Sequence, residues 1–387
     1  MRPLIRLVPL VSAALLTACA SASSPTPTTA RETGPARTQV QPAVGLSQPA
    51  TRTAASTRGT DRGDFGDSPA LAELIDRLVR EEGFDRAELQ RIFSRVERQQ
   101  WILDLLNKPK APPSTTPTGA WDRYRAKFIT EANIANGLRF WREHAEVLDR
   151  AHARYGVPPE YVVAIIGVET RWGGYLGKHR VIDALATIAF DYPRRSEYFT
   201  GELESFLIMA RGEGIDPFAP VGSYAGAMGL GQFMPSSFLR YAVDFDGDGR
   251  RDLWNRVDAI GSVANYFAAH GWRSGEPVVV RARVSEGGAQ AMKTGFSTRY
   301  GLDELRRNGI TAVSPVGAGE VSLLRLDAKG GYQYWLGLPN FYVITRYNHS
   351  SYYAMAVHQL AQELRTRRGL PGPVVTHRGQ GTAEPPL

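Results

Sequence analysis

The chain has 387 residues, 43% hydrophobic and 22% charged, a composition typical of a globular protein long enough for two domains. Its net charge is +7, but seven arginines against four acidic residues lie within residues 1–68, and the other basic residues are scattered. The sequence therefore lacks the basic stripe that binds nucleic acid, and we expect no nucleic-acid partner. Cys19 is the only cysteine, which excludes an internal disulfide.

The N-terminus has the pattern of an export signal. Two arginines form a positive region, an apolar run follows from Leu7 to Leu16, and small residues lead to Cys19. The apolar run is too short to span a bilayer as a helix of the mature protein. We predict a signal peptide over residues 1–18, and over 19–67 a disordered linker rich in Ser, Thr, Pro and Ala.

A mainly helical domain is predicted over residues 68–274. Ser68 can cap the first helix and Pro69 suits its first position, and helical apolar periodicity follows. The first apolar stripe consists of Leu71, Leu74, Ile75 and Leu78.

The sequence pattern changes after Ser274, where several runs of residues are β-like and separated by glycine-rich turns. These runs are PVVVRARV, EVSLLRL, YQYWLGL and FYVITRY. We predict a small β domain over 275–340, a return to the helical domain over 341–370 and a flexible tail over 371–387. The expected fold class is α+β, mainly α.

Glu169 lies in the apolar stretch VVAIIGVETRWGG. A continuous helix would place four apolar side chains on the face of Glu169, namely Val162, Ile165, Ile166 and Trp172. Apolar surroundings remove water from a carboxylate and raise its pKa, which is the property that a general acid needs. A charge at a helix end, paired with a neighbouring arginine, is the alternative, and this stretch alone weighs the two equally.

The segment DFDGDGRRDLWNRVD has the pattern of an EF-hand-like calcium loop over 244–258. Three aspartates occupy loop positions 1, 3 and 5, and a glycine occupies position 6. Position 12 is Asn255 instead of the usual glutamate, and an aspartate three residues later can supply the carboxylate. A single loop favours a structural ion over a calcium sensor, and an acidic turn without metal is the alternative. The predicted ligands are Asp244, Asp246, Asp248, the carbonyl of Arg250, and Asp258.

Two further stretches predict contacts with a polar ligand. GSYAGAMGLGQFMPSS offers glycines that let a ligand approach the backbone, with Ser223 and Gln232 as neutral hydrogen-bonding groups. It lacks the lysine of a phosphate-binding loop, so a sugar chain suits it better. Arg194 and Arg195 in DYPRRSEYF can bind carboxylates of an anionic substrate, although adjacent surface arginines are more often only solvated.

Together, GVETRWGG, DALATIAFDYPRRSEYF, GAMGLGQFMPSSF, DLWNRVDAIGSVANYFAAHGW and YWLGLPNFYVITRYNHSSYYAMAV resemble the B-type lytic murein transglycosylases, a family of bacterial envelope lipoproteins. The resemblance extends from about Leu71 to Leu370. It implies a lysozyme-like helical fold with an accessory β domain, and cleavage of the β-1,4 bond between N-acetylmuramic acid and N-acetylglucosamine in peptidoglycan. It also implies Glu169 as the single catalytic acid, no cofactor for catalysis and calcium as a structural ion. The substrate-contacting positions that it implies are Tyr124, Arg194, Arg195, Ser223, Gln232, Tyr266, Tyr347, Asn348 and Tyr353.

The tetrad LTAC, which ends at Cys19, resembles the lipobox of bacterial lipoproteins. This resemblance implies cleavage before Cys19, attachment of lipid to its sulfur and anchoring to a membrane from the periplasmic side. Ala20, in place of aspartate, favours the outer membrane. Peptidoglycan strands and cell-wall synthases are the expected partners, and we expect a monomer.

A single acid suffices when the C6 hydroxyl of the substrate acts as the nucleophile and forms a 1,6-anhydro product. A lysozyme-type hydrolase would instead need a second carboxylate. The sequence offers distant candidates for it in Glu202, Glu204, Glu213 and Asp216. A non-catalytic peptidoglycan-binding lipoprotein and a calcium-responsive interaction protein are the remaining alternatives.

Overall fold

The computed structural model describes residues 63–109, 116–289, 292–317 and 319–370. The predicted signal peptide, Cys19, most of the predicted linker and the predicted tail lie outside the described residues. Within the described ranges, no helix combines the length and the apolar character that crossing a membrane would require.

Helices dominate the described part of the chain. They are α1 (Pro69–Glu82), α2 (Arg86–Phe93), α3 (Gln100–Leu106), α4 (Ala120–Arg125), α5 (Glu131–Glu143), α6 (Ala145–Tyr155), α7 (Pro159–Thr170), α8 (Val181–Asp191), the 3₁₀ turn Pro193–Arg195, α9 (Ser196–Gly212), α10 (Pro235–Tyr241), α11 (Arg256–Ala269), α12 (Leu302–Arg307), α13 (Pro339–Tyr347) and α14 (Ser351–Arg367). The predicted α+β, mainly α class is confirmed.

The strands form two antiparallel sheets. They are β1 (His179–Arg180), β2 (Val221–Gly222), β3 (Val279–Val284), β4 (Tyr300–Gly301), β5 (Ile310–Ala312), β6 (Glu320–Ala328) and β7 (Gly331–Gly337). A two-stranded sheet pairs β1 with β2, and a five-stranded sheet has the order β4-β6-β7-β3-β5. The hairpin of β6 and β7 sets the register of the larger sheet, with Leu324 opposite Trp335.

The start of α1 follows the sequence prediction. The Ser68 hydroxyl accepts a hydrogen bond from the N–H of Leu71, and Pro69 occupies the first helical turn. Residues before Ser68 nevertheless already pack into the core. Phe65 is 1% exposed, and its ring lies 5.3 Å from that of Phe190 in α8. The last residues of the segment predicted as linker therefore belong to the core.

The run FYVITRY is helical and forms most of α13, so its β-like assignment is wrong. Pro339 occupies the first turn, where its missing N–H costs nothing. Phe341, Val343 and Ile344 are buried in the helical core. Because β propensity largely reports packing context, the contacts of this segment outweigh its β-branched and aromatic composition.

Helix α7 lies at the centre of the helical core. Ten of its twelve residues are buried, so it has no solvent-facing side. The chain leaves the helix after Thr170, where Arg171 adopts φ 52° and Trp172 φ 59°. Trp172 is therefore outside the helix, whereas the sequence argument had placed it on the helical face of Glu169. Its indole turns back and donates a hydrogen bond of 3.0 Å to the carbonyl oxygen of Val163.

The larger sheet is tied to the helical core through Asp327 at the end of β6. Its carboxylate accepts hydrogen bonds from the N–H groups of Thr118, Gly119 and Ala120 at the start of α4, at 2.6, 3.1 and 3.4 Å. The Thr118 hydroxyl adds a fourth at 2.6 Å. These bonds fix the position of α4, the short helix that carries Tyr124.

The packing of the Trp172 indole on α7 generates a first prediction, because it requires a glycine at position 167. A Cβ atom added to Gly167 would lie 2.4 Å from Cζ2 of Trp172. We expect Gly167→Ala to reduce the free energy of unfolding by about 1–3 kcal/mol, the usual cost of overpacking a core. Urea unfolding followed by circular dichroism measures this change.

Gly201→Ala is the matched control for that measurement. Gly201 is exposed within α9, and no atom lies within 4 Å of a Cβ added there. Alanine should therefore stabilise this helix by about 0.5–1 kcal/mol. If the two variants gave the same change in stability, the proposed contact between Trp172 and α7 would be incorrect.

Candidate active site

Glu169 is the next-to-last residue of α7 and one of the two residues of that helix that are not fully buried. The hydroxyl of Tyr353, from α14, donates a hydrogen bond of 2.5 Å to Oε1 of Glu169. Burial raises the pKa of Glu169 from its ordinary value of 4.5 to about 7, and the hydrogen bond from Tyr353 opposes part of that rise. The carboxyl group can therefore keep its proton near neutral pH.

Two further tyrosines share the environment of Glu169. Burial, and then the charge of Glu169, raise the pKa of Tyr124 to about 12. The same two causes raise the pKa of Tyr347 well above 10. The phenols therefore keep their protons and can act as hydrogen-bond donors. The structure thus brings Tyr124, Tyr347 and Tyr353 together around Glu169, although the three are far apart in the sequence.

The glycine-rich loop is joined to this group at two points. The Thr170 hydroxyl donates to the carbonyl oxygen of Leu230 at 3.0 Å, and the Tyr347 hydroxyl donates to that of Gly231 at 2.6 Å. A Cβ atom at Gly231 would lie 2.8 Å from the Tyr347 hydroxyl oxygen, so the loop approaches as closely as only glycine allows. Gln232 has φ 51°, and its amide donates to the Gly229 carbonyl oxygen at 2.9 Å.

The sequence analysis missed Thr170. A hydroxyl at the end of an otherwise apolar helix was the available signal, but its partner in the loop lies 60 positions away. Such a partner cannot be inferred from local periodicity.

Tyr266 and Asn348 extend the group along α11 and α13. The ring of Tyr266 lies 4.8 Å from that of Tyr347, and its hydroxyl donates to the carbonyl oxygen of Arg346 at 2.7 Å. Asn348 ends α13, and its carbonyl oxygen accepts a hydrogen bond from the N–H of Ser350 at 2.7 Å. Tyr266 is buried, so it supports Tyr347 from behind.

The remaining candidate residues have no direct contact with the Glu169 carboxylate among the described residues. The Ser223 hydroxyl oxygen accepts the N–H groups of Ala225 and Ala227, at 3.3 and 3.0 Å, and so shapes the glycine-rich loop. The Arg195 guanidinium lies 4.6 Å from the ring centre of Tyr198. Arg194 is exposed, and we find no ion pair for it among the described residues. The structure does not bring Arg194 into contact with the tyrosines around Glu169.

Each of the four distant acids has a partner of its own. The partners are Ser236 for Glu202, Arg77 for Glu204, Arg251 for Glu213 and the N–H of Phe218 for Asp216. None of these four carboxylates hydrogen-bonds to Glu169 or to the three tyrosines around it within the described residues. Among the described residues, these four acids are therefore engaged elsewhere and none of them is a hydrogen-bonding partner of Glu169.

Three predicted metal ligands come together in the acidic loop. Asp244, Asp246 and Asp258 each offer a carboxylate oxygen, and these oxygens lie within 4.8 Å of one another. Asp248 is exposed and outside this group, and its carboxylate accepts the N–H of Arg250 at 2.8 Å. Carboxylate oxygens are the ligands that calcium prefers, so the donor set fits a hard cation.

Asn255, at loop position 12, has two other roles. Its side-chain oxygen caps α11 by accepting the N–H of Val257 at 2.8 Å, and its amide donates to Asp246 at 2.6 Å. Asp258, in the first turn of α11, is buried and accepts backbone N–H groups from both sides of the loop, among them that of Phe245 at 2.7 Å. Asp258 therefore closes the loop in the place of the usual glutamate.

Comparisons with known proteins agree with this geometry. The family described as "Transglycosylase SLT domain" matches residues 66–362. The membrane-bound lytic murein transglycosylase B of Escherichia coli is 55% identical over 312 residues, which cover 79% of this chain and 85% of that protein.

Two solved structures share the fold. Escherichia coli lytic transglycosylase Slt35 in complex with calcium has a TM-score of 0.74 at 52% identity, covering 82% of this chain and 100% of its own. Pseudomonas aeruginosa SltB3 in complex with NAG-anhNAM-pentapeptide has a TM-score of 0.66 at 31% identity, covering 77% and 80%. The predicted lysozyme-like fold is thereby confirmed. Because the family match covers most of its length, this chain belongs to the transglycosylase SLT domain family.

Proposed function

We propose that this protein is a lytic transglycosylase that cleaves the β-1,4 bond between N-acetylmuramic acid and N-acetylglucosamine in peptidoglycan. The observation that carries the proposal is the isolated carboxyl group of Glu169, with a pKa of about 7 and a hydrogen bond from Tyr353. Family membership and the similarity to murein transglycosylase B support peptidoglycan as the substrate.

In this mechanism Glu169 acts first as an acid and then as a base. Its proton passes to the glycosidic oxygen as the bond between that oxygen and C1 of the muramic acid breaks. The C6 hydroxyl of the same sugar then forms a bond to C1 and gives its proton to the Glu169 carboxylate. The result is a 1,6-anhydro ring, and Glu169 regains its starting protonation state. No water is consumed, so no second carboxylate is required.

The surrounding residues have supporting roles in this proposal. Tyr124 is a protonated phenol beside Glu169 and is suited to donate a hydrogen bond to a sugar oxygen. Tyr347 and Tyr353 already donate their hydroxyl hydrogens to Gly231 and Glu169, so their oxygens can accept hydrogen bonds from sugar hydroxyls. The glycine-rich loop lets the sugar chain approach its backbone, and Arg195 on the neighbouring 3₁₀ turn suits carboxylates of the substrate. A scaffold that only binds peptidoglycan would have no need for a carboxyl group with a raised pKa.

We also propose a structural calcium ion and a lipid anchor. Asp244, Asp246 and Asp258 would hold the ion, which would neutralise their mutual repulsion and stabilise the loop before α11. The LTAC tetrad and the name of the membrane-bound relative support lipid attachment at Cys19 and a location at the periplasmic face of the outer membrane.

The main test is the substitution Glu169→Gln, which keeps the hydrogen bond from Tyr353 but cannot transfer a proton. Turnover should fall by about 10²–10⁴-fold, the usual loss when a general acid–base is removed. Digestion of purified sacculi followed by mass spectrometry measures the product, and an anhydro product is lighter than a hydrolysis product by one water. Glu204→Gln, at a surface ion pair with Arg77, is the matched control and should retain activity.

Stability gives a second measurement on Glu169→Gln. Between pH 4.5 and about 7 the folded wild-type protein keeps a proton that the unfolded chain releases, so its stability declines as pH rises through this window. Glutamine does not titrate, so the variant does not lose stability in this way. The melting temperature of the variant minus that of wild type should therefore increase as pH rises from 4.5 to about 7. A variant that is active, or one that is strongly destabilised at pH 7, would indicate a structural ion pair instead.

The pH dependence of turnover tests the role of Tyr353. Since the acid form of Glu169 starts the reaction, turnover should fall as pH rises through about 7. The hydrogen bond from Tyr353 lowers the pKa of Glu169, so Tyr353→Phe should move this alkaline limb to higher pH. The position of the limb in a pH–rate profile is the readout, with Tyr300→Phe on β4 as the control. A limb that stays in place or moves to lower pH contradicts the assignment.

Calcium should raise the melting temperature, because an ion that binds only the folded state stabilises it. The expected gain is about 2.7 kcal/mol when calcium is present at about 100 times its dissociation constant. Asp246→Asn should reduce the gain more than Asp248→Asn, because only Asp246 belongs to the group of three carboxylates. Asp303→Asn on α12 is the control. Identical melting curves with calcium and with chelator would mean that the loop is only an acidic turn.

A further inference from the structure

A separate pocket of about 310 Å³ lies where the end of α11 and the start of α13 meet the larger sheet. Its lining includes His270, Arg273, Arg299, Glu320 and Tyr342, and we refer to it as the arginine pocket. None of the residues proposed above to contact the glycan strand lines it. The pocket therefore needs an explanation of its own.

The cations around the arginine pocket lack strong acidic partners. Arg299 has no ion pair within the described ranges, and its hydrogen bonds there all leave from Nη1, to Phe296, Thr298 and Ser322. Its other guanidinium nitrogens are therefore available to a ligand. Arg273 has an exposed ion pair of 3.4 Å, to Glu276, of the kind worth little in water.

Arg346 adds a third guanidinium behind the pocket wall. Its Cζ lies 4.0 Å from the ring centre of Tyr342, and that of Arg299 lies 4.8 Å from the same centre. The buried Nε of Arg346 has no hydrogen-bond partner among the described residues, and we find no ion pair for this side chain there. Two guanidinium groups that share one phenol ring, both without a carboxylate, create a positive potential that favours an anion.

The histidine and the acid in the pocket lining, His270 and Glu320, help to determine which ligand the pocket can bind. Nδ1 of His270 lies 2.7 Å from the carbonyl oxygen of Tyr266, which can only accept, so Nδ1 carries a proton. Burial lowers the pKa of His270, and this ring adds no charge near neutral pH. Glu320 is exposed and is the one carboxylate in the described lining. The pocket thus presents cationic groups to a carboxylate and a single anionic group to an ammonium.

We propose that the arginine pocket binds the end of a peptide that carries both a carboxylate and an amino group. Arg273 and Arg299 would bind the carboxylate, and Glu320 would bind the ammonium. Guanidinium groups suit carboxylates because their N–H groups match the two oxygens.

The stem peptide of peptidoglycan is the source that the geometry favours, and in this respect the inference rests on the proposed function. The ring of His270, in the pocket lining, lies 4.0 Å from that of Tyr266, and the ring of Tyr266 lies 4.8 Å from that of Tyr347, so two ring contacts connect the arginine pocket to Tyr347. Five extended residues span up to about 17 Å. A pentapeptide that leaves a sugar held beside Tyr347 can therefore reach the arginine pocket.

Calorimetric titration of the full-length protein with a sugar-free stem pentapeptide tests the proposal, with the N-terminus acetylated, as it is blocked in the sugar-linked peptide, and with the ammonium on a side chain. The peptide should bind to wild type and to Glu169→Gln equally well. Arg299→Gln and Glu320→Gln should each weaken binding by about tenfold, the usual effect of losing one charge-assisted hydrogen bond. Arg281→Gln is the matched control, because Arg281 is exposed on β3 of the same sheet and outside the pocket, and it should bind like wild type.

Two further probes identify the source of the anion. A pentapeptide with amidated carboxylates should bind at least about tenfold more weakly than the free acid, and inorganic phosphate should compete only weakly. Equal binding of the amidated peptide, or displacement by phosphate at the affinity of the peptide, would overturn the peptide assignment. Failure of Arg299→Gln and Glu320→Gln to weaken binding would overturn the assignment of the pocket.

Kinetics separates this proposal from the catalytic one. Arg299→Gln should raise KM for peptide-bearing strands more than for peptide-free strands, whereas Glu169→Gln should lower kcat for both. If Glu169→Gln remained active, the catalytic proposal would fail while the peptide titration still tested the arginine pocket. An equal change of KM on both substrates would count against the pocket.

Discussion

The removal of water from one carboxyl group is the constraint on which the catalytic end of this molecule depends. Glu169 belongs to a helix in which ten of twelve residues are buried, so its charged form loses hydration, and no cation among the described residues restores it. Its position in the last turn acts in the same direction, because the partial negative charge of a helix C-terminus disfavours a carboxylate. The hydrogen bond from Tyr353 moderates the effect and orients the group. The pKa of about 7 results from burial, which raises it, and from the hydrogen bond from Tyr353, which lowers it.

The backbone that follows the C-terminal end of α7 has an unusual conformation. Arg171 and Trp172 both adopt positive φ, which costs residues with a side chain about 1–2 kcal/mol each. The indole hydrogen bond to Val163 and the bond from Thr170 to Leu230 offset this strain by fixing the turn to α7 and to the glycine-rich loop. The same turn ends α7 at Thr170, one residue after Glu169, so the carboxyl group borders the loop and is not followed by another helical turn.

Local signals in the sequence were sufficient for the features that depend on neighbours in the chain. The Ser68 cap, the acidic loop at Asp244 and the apolar stretch around Glu169 were all apparent from spacing. Contacts between distant segments were not, and they decide the conformation of FYVITRY and the return of Trp172 onto α7. The arginine pocket belongs to the same class, because its walls come from two helices and a sheet that only the tertiary fold brings together.

The larger sheet also helps to position two parts of the molecule, the start of α4 and the segment around Arg273. At one end, the Asp327 carboxylate holds the start of α4, and with it Tyr124. At the other end, β7 leads through Leu338 into α13, where the fully buried side chain of Asn340 accepts the N–H of Arg273 at 2.8 Å and donates to the carbonyl oxygens of Arg273 and Glu276. The sheet thus holds the start of α4 directly, and it is connected to Arg273 through α13. Because α13 follows β7 after a single residue, a displacement of the sheet that carried α13 with it would move Tyr124 and Arg273 together, which couples the position of the site around Glu169 to that of the arginine pocket.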